Sequence, residues 1–214
     1  MARFPLFPLP VVLFPGALLP LHIFEPRYRA MIADCAEGNQ RFVLLPPGND
    51  DEAPASGTVG TIARIRAVQA LADGRSNIAV SGEERVSLTA VAAADRPYLI
   101  GDVTPLDDLD ELPVSPADTA RLLALGERYV VALSTMSETD ADADLAVDPG
   151  TLTFQIASLT EWDFPTKQHF LTLRSPRERV ERLLEALPAQ LVDVEARAAT
   201  HRGAKLNGKG KHPV

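Results

Sequence analysis

The chain has 214 residues, 46% of them hydrophobic and 23% charged, and carries a formal net charge of −8. That is enough polypeptide for one large globular domain or two small ones with a real core. The acidic balance disfavours nonspecific binding to nucleic-acid phosphates, which depends on lysine and arginine; the single cysteine excludes an internal disulfide and fits a reducing compartment.

The first feature is FPLFPLPVVLFPGALLPLHIF, running from Phe4 to Phe24 without a formal charge. It is long enough to cross a bilayer, since about 20 apolar residues suffice. Pro5, Pro8, Pro10, Pro15 and Pro20 argue against a helix, because each interior proline deletes a donor and crowds the preceding turn. Arg3 is the only early basic side chain and no small-residue cleavage site follows, so a secretion signal fits poorly. The stretch therefore reads as two extended segments, about 4–10 and 18–23, around a Pro15-Gly16 turn. Its unbroken apolarity predicts burial on both faces.

A helix is predicted from Pro26 to Glu37, with proline at its first position and Gly38 as its stop. Tyr28, Met31, Ile32 and Cys35 share one face, so Cys35 is expected to be a buried thiol. RFVLLPPG then gives a short buried strand, and NDDEAPASG an exposed loop. From Thr58 to Thr104 short strands follow one another, with an Asp73-Gly74 hairpin signal. The pair Glu83-Glu84 reads as a turn between two of these strands. Such a run of strands predicts a barrel or a sandwich.

The composition changes at DDLDELPVSP. Ser115 and Pro116 begin one helix, Asp148 and Pro149 a second, and a third spans about 165–171. Ser175-Pro176-Arg177-Glu178 is a capping box opening a fourth, whose apolar face carries Val180, Leu183, Leu184 and Leu187. Pro188 is expected to bend or end it. The predicted organisation is thus a β-rich part (1–106), an acidic linker (107–114), a helical part (115–197) and a disordered lysine- and glycine-rich tail (198–214).

The motifs of common chemistries are missing from the sequence. There is no phosphate-binding loop, no G-x-G-x-x-G and no G-x-S-x-G elbow. A Ser–Lys dyad would need a buried lysine, and Lys167, the only lysine before the tail, lies in the polar stretch PTKQH. His22, His169, His201 and His212 lack metal-ligand spacing. Asp140, Asp142 and Asp144 mimic the start of a calcium loop, but Leu145 and Thr151 stand where glycine and a bidentate glutamate are required. No catalytic residue, metal or cofactor is expected. The aromatic pair Trp162 and Phe164, at a helix junction, and the group Phe24, Arg27 and Tyr28 are candidates for an interaction surface.

FPLFPLPVVLFPGALLPLHIFEPRYRAMI, VGTIARI, DGRSNIAVSGEERV, RPYLIGDV and the helical LTFQIASLTEWDFPTKQHFLTLRSPRERVERLLEAL together resemble the N-terminal substrate-binding domain of Lon proteases, over about residues 3–191. The block LFPG-x3-PLHIFEPRY carries the most specificity. Two positions depart from the pattern: Val86 follows Gly82-x-x-Arg85 where the family commonly has phenylalanine, and Trp162 is bulkier than expected. The resemblance implies an α+β fold, a PUA-like pseudo-β-barrel followed by a C-terminal helical bundle. It also implies a stand-alone, cytoplasmic, non-catalytic protein that binds unfolded or partner polypeptides, with no nucleic acid and no membrane. The expected binding residues are Phe24, Arg27, Tyr28, Trp162 and Phe164, around a cleft between barrel and helices. The alternatives are a small-molecule enzyme using that cleft, or an RNA-binding PUA-like protein with a patch of Arg64, Arg66, Arg75 and Arg85.

Overall fold

A computed structural model describes residues 2–49, 52–109, 113–137 and 144–208. Two compact units emerge, and the chain passes between them more than once. The first comprises residues 1–109 and 161–174; the second comprises 110–160 and 175–214.

The first unit holds six strands: β1 (Ala2–Pro8), β2 (Leu18–Ile23), β3 (Arg41–Leu45), β4 (Val59–Ala70), β5 (Ser76–Ala92) and β6 (Ile100–Pro105). Their order is β2-β5-β4-β3-β1-β6, with β5 also paired to β6. At 17 residues, β5 is long enough to serve twice. Its first half pairs with β2 and β4, and its second half with β4 and β6. Strands β5, β4, β3, β1 and β6 therefore close into a ring, and β2 lies outside it. Only β1 and β3 run parallel.

The apolar pattern explains why the ring forms. Val43 and Leu45 of β3 join Phe4, Leu6, Ile62, Val86, Leu88 and Val103 in one buried cluster, to which all five ring strands contribute. Phe42 and Leu44, on the other face of β3, join a second cluster under the helix α1 (Pro26–Glu37). A strand buried on both faces needs a continuous apolar run, which RFVLL supplies. Each such side chain contributes roughly 1.5–3 kcal/mol of burial. Helix α1 presents Tyr28, Met31, Ile32 and Cys35 inward, as its spacing predicts. Val86, one of the two departures from the family pattern, fills the ring interior.

The opening apolar run is β1, a loop and β2. Gly16 has φ +78°, and the Ala17 N–H donates to the Phe14 carbonyl at 3.1 Å, closing the expected Pro15-Gly16 turn. Burial on both faces holds for β1 but not for β2, which exposes alternate residues. Among the described residues no helix is long and apolar enough to cross a membrane. Glu83-Glu84 is not a turn. Both lie within β5, where Glu83 pairs with Arg41 at 2.8 Å and Arg64 at 3.4 Å. Charge had masked a continuous strand.

Helix α4 (Phe164–Thr172) also belongs to the first unit, although the sequence places it among the C-terminal helices. Arg85 holds it there. Its Nη1 donates to the carbonyls of Leu171 (2.8 Å) and Leu173 (2.7 Å), and its Nη2 to Asp108 Oδ1 (2.5 Å). The Arg85 side chain is only 4% exposed. Gln168 Nε2 donates to the Val59 carbonyl of β4 at 2.9 Å. Arg174 Nε reaches the Asp107 carbonyl, and the Leu109 N–H reaches the Arg174 carbonyl. Residues 107–109, read as acidic linker, are thus bound into the first unit, while 110–112 lie outside the described residues.

The second unit contains α2 (Pro116–Ser137), α3 (Pro149–Leu159) and α5 (Pro176–Gly208). Asp148 caps α3 by accepting from the Thr151 N–H, and Ser175 Oγ accepts from the Glu178 N–H at the start of α5. Gly126 of α2 lets Ile156 of α3 approach, since a Cβ there would lie 2.7 Å from its Cδ1. Arg179 is fully buried, donates to Thr153 Oγ1 at 3.0 Å and lies 4.2 Å from the Phe154 ring. Helix α5 runs through Pro188 and past residue 198, where a tail was expected. Its buried stripe of Val180, Leu183, Leu187, Leu191, Val194 and Ala198 keeps the 3/4 spacing, and this packing outweighs one lost backbone bond. Lys209 and Lys211 lie outside the described residues, as do Asp140 and Asp142 of the acidic stretch.

Two measurements test this architecture. Arg85→Met should lower stability to urea by about 2–4 kcal/mol, because it leaves two carbonyls and a carboxylate without their donor; an unchanged midpoint would show that the fork does not hold α4. Cys35 is 4% exposed, and burial, with Asp34 nearby, pushes its thiol up to about 11. It should therefore resist a disulfide reagent at mildly alkaline pH in the native protein and react fully once unfolded.

Candidate functional site

All five residues singled out from the sequence lie in the first unit. The structure sorts them into two groups. The first sits where β2 meets α1. Its alternate residues Leu18, Pro20, His22 and Phe24 are exposed, while Ile23 is buried. Leu18 is 72% and Phe24 59% exposed, large values for apolar side chains. The Phe24 ring stacks beside the His22 ring at 6.1 Å. Arg27 is exposed, pairs with Glu25 at 2.9 Å and lays its guanidinium 4.5 Å from the centre of the Tyr28 ring. Tyr28 itself is not surface. It is buried against Phe7 at 4.2 Å, and that burial raises its phenol above the ordinary value.

The second group opens α4. Asp163 caps the helix through the Thr166 N–H, which places Phe164 at its first position. Trp162 and Phe164 are both half-buried. Trp162 packs on Phe170 at 5.2 Å, and Phe170 meets Phe14 edge-on at 6.1 Å. Phe14 begins the turn that leads into β2, so this ring series links α4 to the loop that launches the exposed strand. Leu18 joins Phe24 on the exposed face, and sequence reasoning missed it. Alternation from Leu18 to Phe24 was the available signal, hidden because His22 is the only polar side chain among those seven residues.

Below the first group lies a cavity of about 490 Å³, lined by Arg27, Tyr28, Pro47, Arg96, Tyr98 and Leu99 among others. Tyr98 Oη donates to Asp34 Oδ2 at 2.6 Å, and Arg96 Nη1 donates to the same oxygen at 2.8 Å. No histidine, cysteine, serine or lysine lines this cavity. His22 Nδ1 lies 2.7 Å from Asn77 Oδ1, so its ring is oriented by an amide rather than by a carboxylate. Lys167 is half-buried, and burial lowers its ammonium pKa. Among the described residues no group of three or more histidine, cysteine, aspartate or glutamate side chains could hold a metal. Arg64, Arg75 and Arg85 are in ion pairs, and Arg66 Nε donates to Ser81 Oγ. Arg85 is buried, so the four do not make a common surface patch.

Residues 3–189 match the model of the ATP-dependent protease La (LON) substrate-binding domain. The chain belongs to that family. Similar proteins include the Lon protease of Xanthomonas oryzae, 28% identical over 207 residues, and the Lon protease of Amoebophilus asiaticus, 26% identical over 184. The matches cover 93% and 82% of this chain but 24% and 22% of those relatives, so the chain spans about a quarter of their length. The fold recurs in the crystal structure of a Lon N-terminal domain protein from Xanthomonas campestris, with a TM-score of 0.67 and 24% identity. That match covers 87% of this chain and 99% of the other. The N-terminal domain of Mycobacterium avium complex Lon protease gives 0.66 at 20% identity, covering 87% and 98%. As a member of the Lon substrate-binding domain family, the chain has the α+β fold that the resemblance implies.

Tyr98 provides a pH-dependent check on the cavity wall. Burial first, then its bond to Asp34, pushes its phenol up from 10.0 to about 12. The stability it contributes is fully present below pH 10 and is lost as pH rises toward 12. Tyr98→Phe should flatten that alkaline loss and remove one high-pH step of phenolate absorbance; an unchanged titration would show that Tyr98 does not supply it.

Proposed function

We propose that this protein is a non-catalytic module that captures exposed apolar segments of other polypeptides through the first unit. The carrying observation is the pair Leu18 and Phe24, large apolar side chains held in solvent at the start of β2 and just past its end, at 72% and 59% exposure. Exposed apolar groups of this size, held on rigid backbone, mark interaction surfaces. Trp162 and Phe164 extend the surface along α4, and Arg27 supplies a polar rim contact. Membership of the Lon substrate-binding domain family supports the reading, because the work named for that domain is substrate binding. The orientation of His22 by an amide rather than a carboxylate is in keeping with binding rather than turnover. The engagement of the four arginines favours a protein partner over a phosphate backbone. A buried single thiol is in keeping with a reducing, cytoplasmic setting.

Trp162 is the only tryptophan, so its fluorescence reports on its own surroundings. Titration with a tryptophan-free, permanently unfolded protein should change that emission and give a measurable affinity by calorimetry. Phe24→Ala and Trp162→Ala should each weaken it about three- to tenfold, whereas Val192→Ala, on α5 of the second unit, should not. Parent-like binding by both aromatic variants would refute the placement.

A further inference from the structure

Strand β2 is an edge strand, bonded only to β5 among the described residues. The phase of its ladder is set by neighbouring bonds. The Gly82 N–H donates to the Ala17 carbonyl at 2.9 Å, and the Gly16 N–H donates to the Gly82 carbonyl at 3.0 Å. Antiparallel bonding alternates, so Leu19, Leu21 and Ile23 turn their backbone groups toward β5. Leu18, Pro20 and His22 turn theirs outward. Pro20 fits that phase, because the donor it lacks would have pointed to solvent.

An open row of carbonyls and N–H groups is a template for another strand, and proteins usually guard it with charges, above all lysine. LLPLHI has no formal charge. Its only guard is the proline. We propose that the client polypeptide binds by adding as a β-strand to this outer edge, with its own side chains flanking Leu18, Pro20, His22 and Phe24 on the exposed face. The inference rests on the polypeptide-binding reading and names its mode.

The occupant is a foreign extended segment rather than a second copy of β2. In a symmetric antiparallel pairing centred on the strand, Pro20 opposes Pro20 and both bonds of that pair are lost. A client strand with ordinary residues loses only the one bond that Pro20 cannot donate. The edge thus discriminates against itself while accepting other chains, and reads backbone together with apolar side chains.

The experiment uses the full chain and, as probe, a reduced and carboxymethylated unfolded protein. Pro20→Ala restores an outward donor and should tighten binding about two- to tenfold, the range expected for one added hydrogen bond. Leu18→Pro removes an outward donor without touching the β5 ladder, and should bind more weakly than Leu18→Ala by a similar factor. Circular dichroism confirms that each variant folds. In the parent, amide exchange at Leu18 and His22 should slow at least tenfold on probe binding, while Leu19 and Leu21 are protected throughout. If the parent binds the probe but the outward amides stay unprotected and Pro20→Ala binds alike, the edge assignment fails and the side-chain reading survives. If Pro20→Ala dimerises without gaining affinity for the probe, the assigned occupant is wrong. If the parent binds no unfolded probe, both readings fall.

Discussion

The first unit depends on one buried fork. A guanidinium sealed from water needs its donors matched, and Arg85 meets two carbonyls and one carboxylate contributed by segments 23 to 88 residues away. Leu171 and Leu173 end α4 with carbonyls that have no successor turn to satisfy them, and the arginine replaces that turn. Asp108 brings in the stretch that leaves β6. The end of α4 is therefore fastened, at one atom group, to the paired strands β5 and β6. An ammonium could not take its place, because a point charge lacks the planar fork that spans three oxygens.

With α4 fastened, the aromatic series from Trp162 through Phe170 to Phe14 has a fixed end. Phe14 in turn begins the turn at Gly16, and this turn delivers Leu18 to the start of β2. The exposed strand is thus rigidly presented, although its outer side has no partner among the described residues. A rigid, uncharged edge with an apolar face loses little conformational freedom on binding, the condition under which a modest surface can hold a flexible client. The paired arginines and the amide-bound His22 contribute to stability and orientation in the same unit. Under the proposed function, its exposed apolar side chains serve recognition.

Much of the fold was legible because local and global signals agree. Pro26 and Gly38 delimit α1, Asp148 and Ser175 cap their helices, Gly16 and Gly74 take the positive φ that their turns require, and RFVLL is buried on both faces as its composition demands. The misses share one cause: a distant partner overrode a local cue. Glu83-Glu84 looked like a turn until Arg41 and Arg64 paired with Glu83 inside β5. Pro188 was expected to bend or end its helix, but the stripe continuing through Leu191, Val194 and Ala198 carried the helix on. Phe24 meets His22 and Trp162 meets Phe170 within their own segments, whereas the contact of Phe170 with Phe14 has no local signal, since it depends on where α4 returns.

That return makes the first unit discontinuous along the chain. Residues 161–174 complete it after an excursion of about fifty residues into the second unit. During synthesis the β-strands emerge first, yet Arg85 has no carbonyls to hold until residue 173 has left the ribosome. The nascent sheet waits with Arg85 able to meet only Asp108 while helices of the other unit are being made. No single cut in the polypeptide can release either unit intact.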